Sequence, residues 1–345
     1  ALVTGGASGI GKAVCLQLKG NYDKALEVLR MGPEAERTLP QEEPGVAAMR
    51  FAALGQIYRQ QGKYDTALAA ARQAFDILHE YSLREDDLAW EIFSLFAGTY
   101  SDRGDLDSAL AYNHRALLLF PTPGGEQRTK LSNSYNSIAI IYQARGDYLG
   151  ALSPYMKALE ILRAELGENH PDIAGLYNNI AVIYMRLGDY ALSLEYHLKS
   201  LAILTETLES GHPSFGIRYN NIAMVYRSKG EFDKALEFGQ KSKAIFVKKL
   251  GARHPNVAGV VNNIGRTYAD MTEYKRALES YEEALTIWEE KLGQKHPNVT
   301  QSYFNIGEAH GKLGDTRNAA SWLEKSLRIR RETLGEKNVK VAQSH

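Results

Sequence analysis

The feature that most constrains this chain is a fixed period. The segment Leu166–Leu208, LGENHPDIAGLYNNIAVIYMRLGDYALSLEYHLKSLAILTETL, returns in outline 42 residues later as HPSFGIRYNNIAMVYRSKGEFDKALEFGQKSKAIF. It returns again as HPNVAGVVNNIGRTYADMTEYKRALESYEEAL and then as HPNVTQSYFNIGEAHGKLGDTRNAASWLEKSL. A repeat of this length is one supersecondary unit that cannot bury its apolar face alone, so neighbouring units must stack. The 345 residues therefore predict one long array rather than two or three unrelated globular domains.

A turn pattern, Gly-x-aromatic-x-x-Ala-Leu, marks each unit. Its first position is Gly20, Gly62, Gly104, Gly146, Gly188, Gly230, Thr272 and Gly314, each 42 residues apart. Seven residues before each turn stands a small residue: Ala13, Gly55, Ala97, Ala139, Ala181, Ala223, Gly265, Gly307. Four before it stands Tyr58, Tyr100, Tyr142, Tyr184, Tyr226 or Tyr268, with Leu16 and His310 at the ends. Apolar residues recur at helical spacing on both sides of the turn, as in Ile180, Ile183, Tyr184, Leu187 and then Leu194, Leu198, Leu201, Leu204. Each unit thus predicts two amphipathic helices joined by a left-handed glycine. The small residue lets the helices approach closely, and the tyrosines are expected to fill the gap between successive hairpins.

Leu54, Gly55, Tyr58, Gly62, Tyr64 and Ala67 resemble the signature of the tetratricopeptide repeat. The period of 42 exceeds that family's usual length of about 34. The extra residues carry Leu-Gly-x-x-His-Pro at Leu166–Pro171, Leu250–Pro255 and Leu292–Pro297, and more loosely at Leu208–Pro213. This combination is similar to the kinesin-light-chain subtype. The likeness is close over residues 127–345 and looser over 20–126, where Met31, Gly32 and Pro33 interrupt a helix and Pro121–Gly125 form a loop. The final residues enter a further unit, so the expected C-terminal end is truncated. No heptad segment of the kind that joins light chains to a motor occurs here, so the resemblance concerns the repeats. It implies an all-α fold, a right-handed superhelical solenoid of eight helical hairpins whose first helices line a concave groove.

Residues 1–19 stand apart. Thr4, Gly5, Gly9 and Gly11 meet the T-G-x-x-x-G-x-G pattern and resemble the start of a short-chain dehydrogenase/reductase domain. In that family the turn brings backbone N–H groups to a dinucleotide pyrophosphate. Gly6, Gly11 and Lys12 approach a phosphate loop, but Ala13 stands where Ser or Thr would ligate magnesium. The family's Tyr-x-x-x-Lys pair is met by none of the 20 tyrosines, and Ala13 and Leu16 fall in the repeat register. The segment is therefore expected to be a strand–helix remnant capping the array, with no cofactor. The rival reading is a nucleotide-dependent oxidoreductase, or an NTPase-linked signalling protein, with the array as its sensor.

Composition narrows the partner. Lys plus Arg equals Asp plus Glu at 41 each, which gives no basic excess for nucleic acid or an anionic membrane. No run of 18 or more apolar residues suggests a membrane span. The single cysteine, Cys15, excludes an internal disulfide framework and fits a reducing, cytoplasmic setting. His170, His212, His254 and His296 each precede proline. Repeat spacing of about 10 Å or more between equivalent positions excludes a shared metal, so they are expected to cap the following helix.

Asparagine is the sharper signal. One column is Asn136, Asn178, Asn220, Asn262 and then Phe304; the adjacent one is Ser137, Asn179, Asn221, Asn263, Asn305. Asn is a poor helix-interior residue, so its recurrence requires a reason. The amides either hydrogen-bond the loop or neighbouring backbone within the array or face the groove. In the groove they could pair with both C=O and N–H of an extended peptide whatever its side chains. The family resemblance places them on the groove side, with Arg186, Arg227 and Arg266, as well as Arg59, Gln60, Met185 and Lys312, at its edge beside Asp102 and Asp270. The expected function is a non-catalytic adaptor that binds a protein or peptide bearing acidic residues.

Overall fold

The computed structural model describes residues 43–81, 86–121 and 123–334, with Lys24 as one further helical position. Among the described residues there are fourteen helices and no strand. They form two compact units that divide between Glu168 and Asn169. Unit one contains α1 (Pro44–Gln60), α2 (Tyr64–Glu80), α3 (Asp86–Arg103), α4 (Leu106–Leu118), α5 (Glu126–Ala144) and α6 (Tyr148–Leu166). Unit two contains α7 (Pro171–Leu187), α8 (Tyr190–Thr207), α9 (Pro213–Ser228), α10 (Phe232–Leu250), α11 (Pro255–Asp270), α12 (Tyr274–Leu292), α13 (Pro297–Lys312) and α14 (Thr316–Leu334). Each odd-numbered helix pairs with the next as a hairpin, giving seven hairpins among the described residues. The eighth expected turn, at Gly20, lies outside them, as do Thr4, Gly5, Gly9 and Gly11.

The sequence determines where each helix begins and ends. In unit two His170, His212, His254 and His296 cap their helices through Nδ1, which accepts from the backbone N–H two residues on at 3.1 to 3.2 Å. Proline follows at the first helical position, where no N–H is needed. At the inter-helix turn Gly188 takes φ 83°, a conformation that an L side chain resists. Thr272 adopts φ 62° at the equivalent position, against the preference of its β-branched side chain. The next residue caps the second helix in several hairpins: Asp105, Asp147 and Asp189 accept from the N–H groups of Ser108, Gly150 and Leu192. Where a loop is expected, Pro121 and Pro123–Gly125 lie outside the helices, since α4 ends at Leu118 and α5 begins at Glu126.

Small residues hold the two helices of a hairpin together. Ala139 and Ala181 are fully buried, as are Ala67, Ala109, Ala151 and Ala277 on the second helices. A Cβ added at Gly265 would stand 2.8 Å from the Tyr281 ring. Serine hydroxyls add cross-links to first-helix carbonyls: Ser200 to Ala174 at 2.6 Å, Ser242 to Gly216 at 2.7 Å and Ser326 to Thr300 at 2.8 Å. Around these contacts Ile173, Ile180 and Ile183 are fully buried, each contributing about 1.5–3 kcal/mol of apolar transfer free energy.

Two packing expectations need correction. The inner stripe of α8 is Ser193, His197, Ser200, Ile203 and Leu204, whereas Leu198 is 58% exposed. Ser193 and Ser200 are buried because their hydroxyls bond the Ala181 and Ala174 carbonyls, and Leu198 falls on the outer face. The tyrosines before the turn stack within their own hairpin: Tyr100 on Tyr112, Tyr184 on Tyr196 and Tyr226 on Phe238, with centroids 5.5 to 5.6 Å apart.

Candidate amide ladder on the first helices

The repeated asparagines lie on the first helices of unit two and are joined across hairpins. Asn221 on α9 donates through Nδ2 to Asn178 Oδ1 on α7 at 2.8 Å. Asn263 on α11 donates to Asn220 on α9 at 3.1 Å, and Asn305 on α13 donates to Asn262 on α11 at 3.1 Å. Each rung joins residues 43 positions apart. It therefore connects the two columns diagonally rather than linking equivalent positions. Asn178 also approaches the Asn179 oxygen at 3.5 Å, the outer limit of a hydrogen bond.

Burial explains why these bonds form. Asn262 is 8% exposed and Asn178, Asn220, Asn221, Asn263 and Asn305 are half-buried, so an unpaired amide would be costly. Each rung uses one N–H of the later asparagine and one lone pair of the earlier one. A carboxamide offers two donors and two lone pairs, so hydrogen-bonding capacity remains. Part of it is taken: the Asn305 oxygen accepts from Gln301 Nε2 at 2.9 Å. Asn136 and Asn179 are half-buried and engaged as well. The amides thus bond within the array, but to one another's side chains rather than to loop or backbone.

The basic residues separate into two kinds. Arg227 Nε pairs with Asp270 at 3.2 Å, and Arg59 Nε with Asp102 at 2.7 Å in unit one. These pairs also span 43 residues, so arginines expected at the groove edge are neutralised by the next hairpin. Burial, and then the charge of Arg266, depresses the pKa of Arg227 below its usual range. Arg186 and Arg266 are exposed, and neither has an ion-pair partner among the described residues. Sequence reasoning missed these pairings because equivalent residues align at 42, whereas contacting ones are 43 apart.

In unit one the corresponding face is different. A cleft of about 780 Å³, counted with the solvent at its mouth, is lined by Arg59, Trp90, Ser94, Gly98, Asp102 and Ser137, among others. Trp90 Nε1 donates to Ser134 Oγ at 2.9 Å. Arg59 lies over Gly98, where a Cβ would meet its guanidinium at 2.3 Å. Among the described residues no three His, Cys, Asp or Glu side chains come together as a metal site. None of the described helices is long and apolar enough to cross a membrane.

Comparison with known proteins places this geometry. The tetratricopeptide repeat profile matches residues 91–164, 130–206, 172–248, 216–285 and 256–332, and a second profile of the same description matches 48–80. No curated protein sequence matched. Among solved structures, BtubC (BKLC) from P. vanneervenii is 26% identical with a TM-score of 0.56, covering 67% of this chain and 92% of that one. The Q17M variant of a Podosopora anserina protein, described as a kinesin light chain with nearly identical TPR-like repeats, is 25% identical. Its TM-score is 0.50, with coverage of 61% and 99%. The apo quorum sensor NprR from B. thuringiensis shares the fold at a TM-score of 0.71 over 94% of this chain and 87% of its own, with 16% identity. The repeats are thus structurally similar to kinesin-light-chain-like proteins. The profile matches begin at residue 48 and lend no support to the dehydrogenase-like reading of residues 1–20.

Proposed function

Since the chain belongs to the tetratricopeptide repeat family, we propose that it is a non-catalytic interaction scaffold. In this reading the first-helix face of unit two holds an extended peptide segment of a partner protein. The observation that carries the proposal is the ladder of three rungs between Asn178 and Asn305. The rungs orient the amides before any ligand arrives, which lowers the ordering cost of binding. The N–H and oxygen valences left over match the alternating C=O and N–H of an extended backbone. Such a grip tolerates many side-chain sequences. Arg186 and Arg266, exposed near it, favour a partner with acidic residues, and the surroundings of the array would be cytoplasmic.

The full chain, probed with an array of dodecapeptides, tests this. We expect peptides of unrelated sequence to be retained. The N220A/N263A double variant should bind them at least tenfold more weakly, with its helical circular dichroism preserved. Retention of no peptide, or an affinity untouched by the double substitution, would overturn the proposal.

The nucleotide-dependent reading depends on Thr4, Gly5, Gly9 and Gly11. Saturable micromolar binding of NADPH, abolished by Gly9→Val, would replace the non-catalytic assignment.

A further inference from the structure

The seam between α9 and α11 in unit two is closed, and the same seam between α3 and α5 in unit one is open. In unit two Asn220, Met224, Arg227 and Asn263 line it and leave about 10 Å³ of accessible space. Three repeats earlier the same positions hold Ser94, Gly98, Ser101 and Ser137. With these four shorter side chains the cleft of unit one has about 290 Å³ of accessible space. Its wall also gains Trp90, where unit two has Gly216.

Most polar groups facing this space are uncommitted. The side chains of Gln56, Ser94, Ser101, Asn133 and Ser137 have no hydrogen-bond partner among the described residues. Each can donate and accept at once. Three further side chains of the lining are held in place: Arg59 by Asp102 at 2.7 Å, Ser134 by the Trp90 indole at 2.9 Å and Asn113 by the Ala109 carbonyl at 3.0 Å. Arg59 and Asp102 are the only charged residues in the lining, and they neutralise each other. Lys130, 5.5 Å from the Trp90 ring centroid, is paired with Asp87 at 2.7 Å. Trp90 and the exposed Ile140 add apolar surface beside the hydroxyls.

We infer that the cleft of unit one binds a neutral oligosaccharide. A sugar hydroxyl both donates and accepts, so it is best met by side chains that do the same, and five such side chains converge here without partners of their own. The Arg59 guanidinium and the Asp102 carboxylate, side by side, present a donor and an acceptor to two neighbouring hydroxyls. The C–H groups of the sugar ring pack on the Trp90 ring, an apolar body with its polar N–H already satisfied by Ser134. An anionic ligand would find no unpaired cation in the lining. The inference concerns the other unit and stands apart from the peptide reading of the ladder.

Neutral and acidic oligosaccharides immobilised on a glass surface are probed with fluorescent beads that carry the full chain, so that weak sites register through multivalency. The expected result is retention on at least one neutral glycan. That glycan, titrated calorimetrically into the soluble full chain, should bind at least tenfold more weakly to Trp90→Ala and to the S94N/S137N double variant, and equally to N220A/N263A. Circular dichroism reports whether each variant folds. S94N/S137N, which places in unit one the side chains that unit two carries, decides the matter if Trp90→Ala does not fold. Retention of no glycan, or of acidic glycans only, would overturn the proposal. So would an affinity that survives in S94N/S137N, or one lost in N220A/N263A, which would move the sugar to the ladder. Loss of peptide retention in S94N/S137N, with no glycan bound, would assign the cleft to a peptide and overturn the sugar.

Discussion

The two units are built from the same hairpin but present different first-helix faces. In unit two the face is crossed by carboxamide pairs between successive hairpins. In unit one the corresponding region is a cleft bordered by serines, Trp90 and the Arg59–Asp102 pair. Buried packing is shared, since both rely on alanines at the helix contact and on aromatic stacks within hairpins. The difference teaches that one hairpin packing can carry two unlike faces, and that a few columns are enough to distinguish them. The capping chemistry of the first helices differs too, with His-Pro present at every start in unit two.

The largest expected contrast is in pH response at one column. His197 in unit two is fully buried, neither ring nitrogen has a partner, and burial reinforced by Arg218 pushes its pKa down to about 3. The unfolded chain would take up that proton near pH 6.5, so the folded state binds fewer protons between there and about 3. Stability is therefore complete above about pH 6.5 and falls by roughly 1.4 kcal/mol per pH unit as the pH drops below it. Tyr155, the equivalent residue in unit one, is pushed up to about 12 by burial, and its contribution is lost only as pH rises from about 10 toward 12. Urea midpoints measured from pH 4 to 7 should show the acid slope in the wild type and lose that share of it in His197→Phe. An unchanged slope in the variant would remove this distinction.

Next in size is the ladder. Replacing Asn220 and Asn263 by alanine should weaken peptide retention at least tenfold, about 1.4 kcal/mol. Replacing Ser94 and Ser137 in unit one should leave it unaltered. Equal losses from both pairs, measured by fluorescence anisotropy, would erase the functional contrast between the faces. Smaller is the turn at Thr272. Substitution by glycine should raise the melting temperature, because a left-handed conformation costs a side-chain-bearing residue about 1–2 kcal/mol and glycine's extra unfolded-state entropy offsets only part of that. The converse change, Gly146→Thr in unit one, should lower it. Smallest is the helix start: His254→Ala removes one cap and should cost about 0.5–1 kcal/mol by thermal melting.

Much of this was legible in the chain. The period set the helix pairs, the turn glycines marked their ends, and His-Pro announced a cap. The two asparagine columns were visible as positions where helix propensity was overruled. What could not be read was which residue meets which. Column alignment compares positions 42 apart, and the rungs and the Arg–Asp pairs join positions 43 apart. Nor could hydropathy find the inner face of α8, where Ser193, His197 and Ser200 are buried and Leu198 is not. In tight helix pairs size overrides polarity, because a hydroxyl bonded to a nearby carbonyl can be buried at little cost. The reason for Gly239 was hidden too: Ile264 packs so close that an added Cβ would meet its Cγ1 at 2.9 Å, and column alignment does not show that contact.

The rungs of the ladder also share a direction. In each, the asparagine later in the chain is the donor and the earlier one the acceptor. Donor and acceptor therefore follow one another in the same order at every rung. On the reading proposed above, a backbone laid along the row would meet these groups in one order only, and a peptide and its reversed sequence should be distinguishable even where no side chain is recognised.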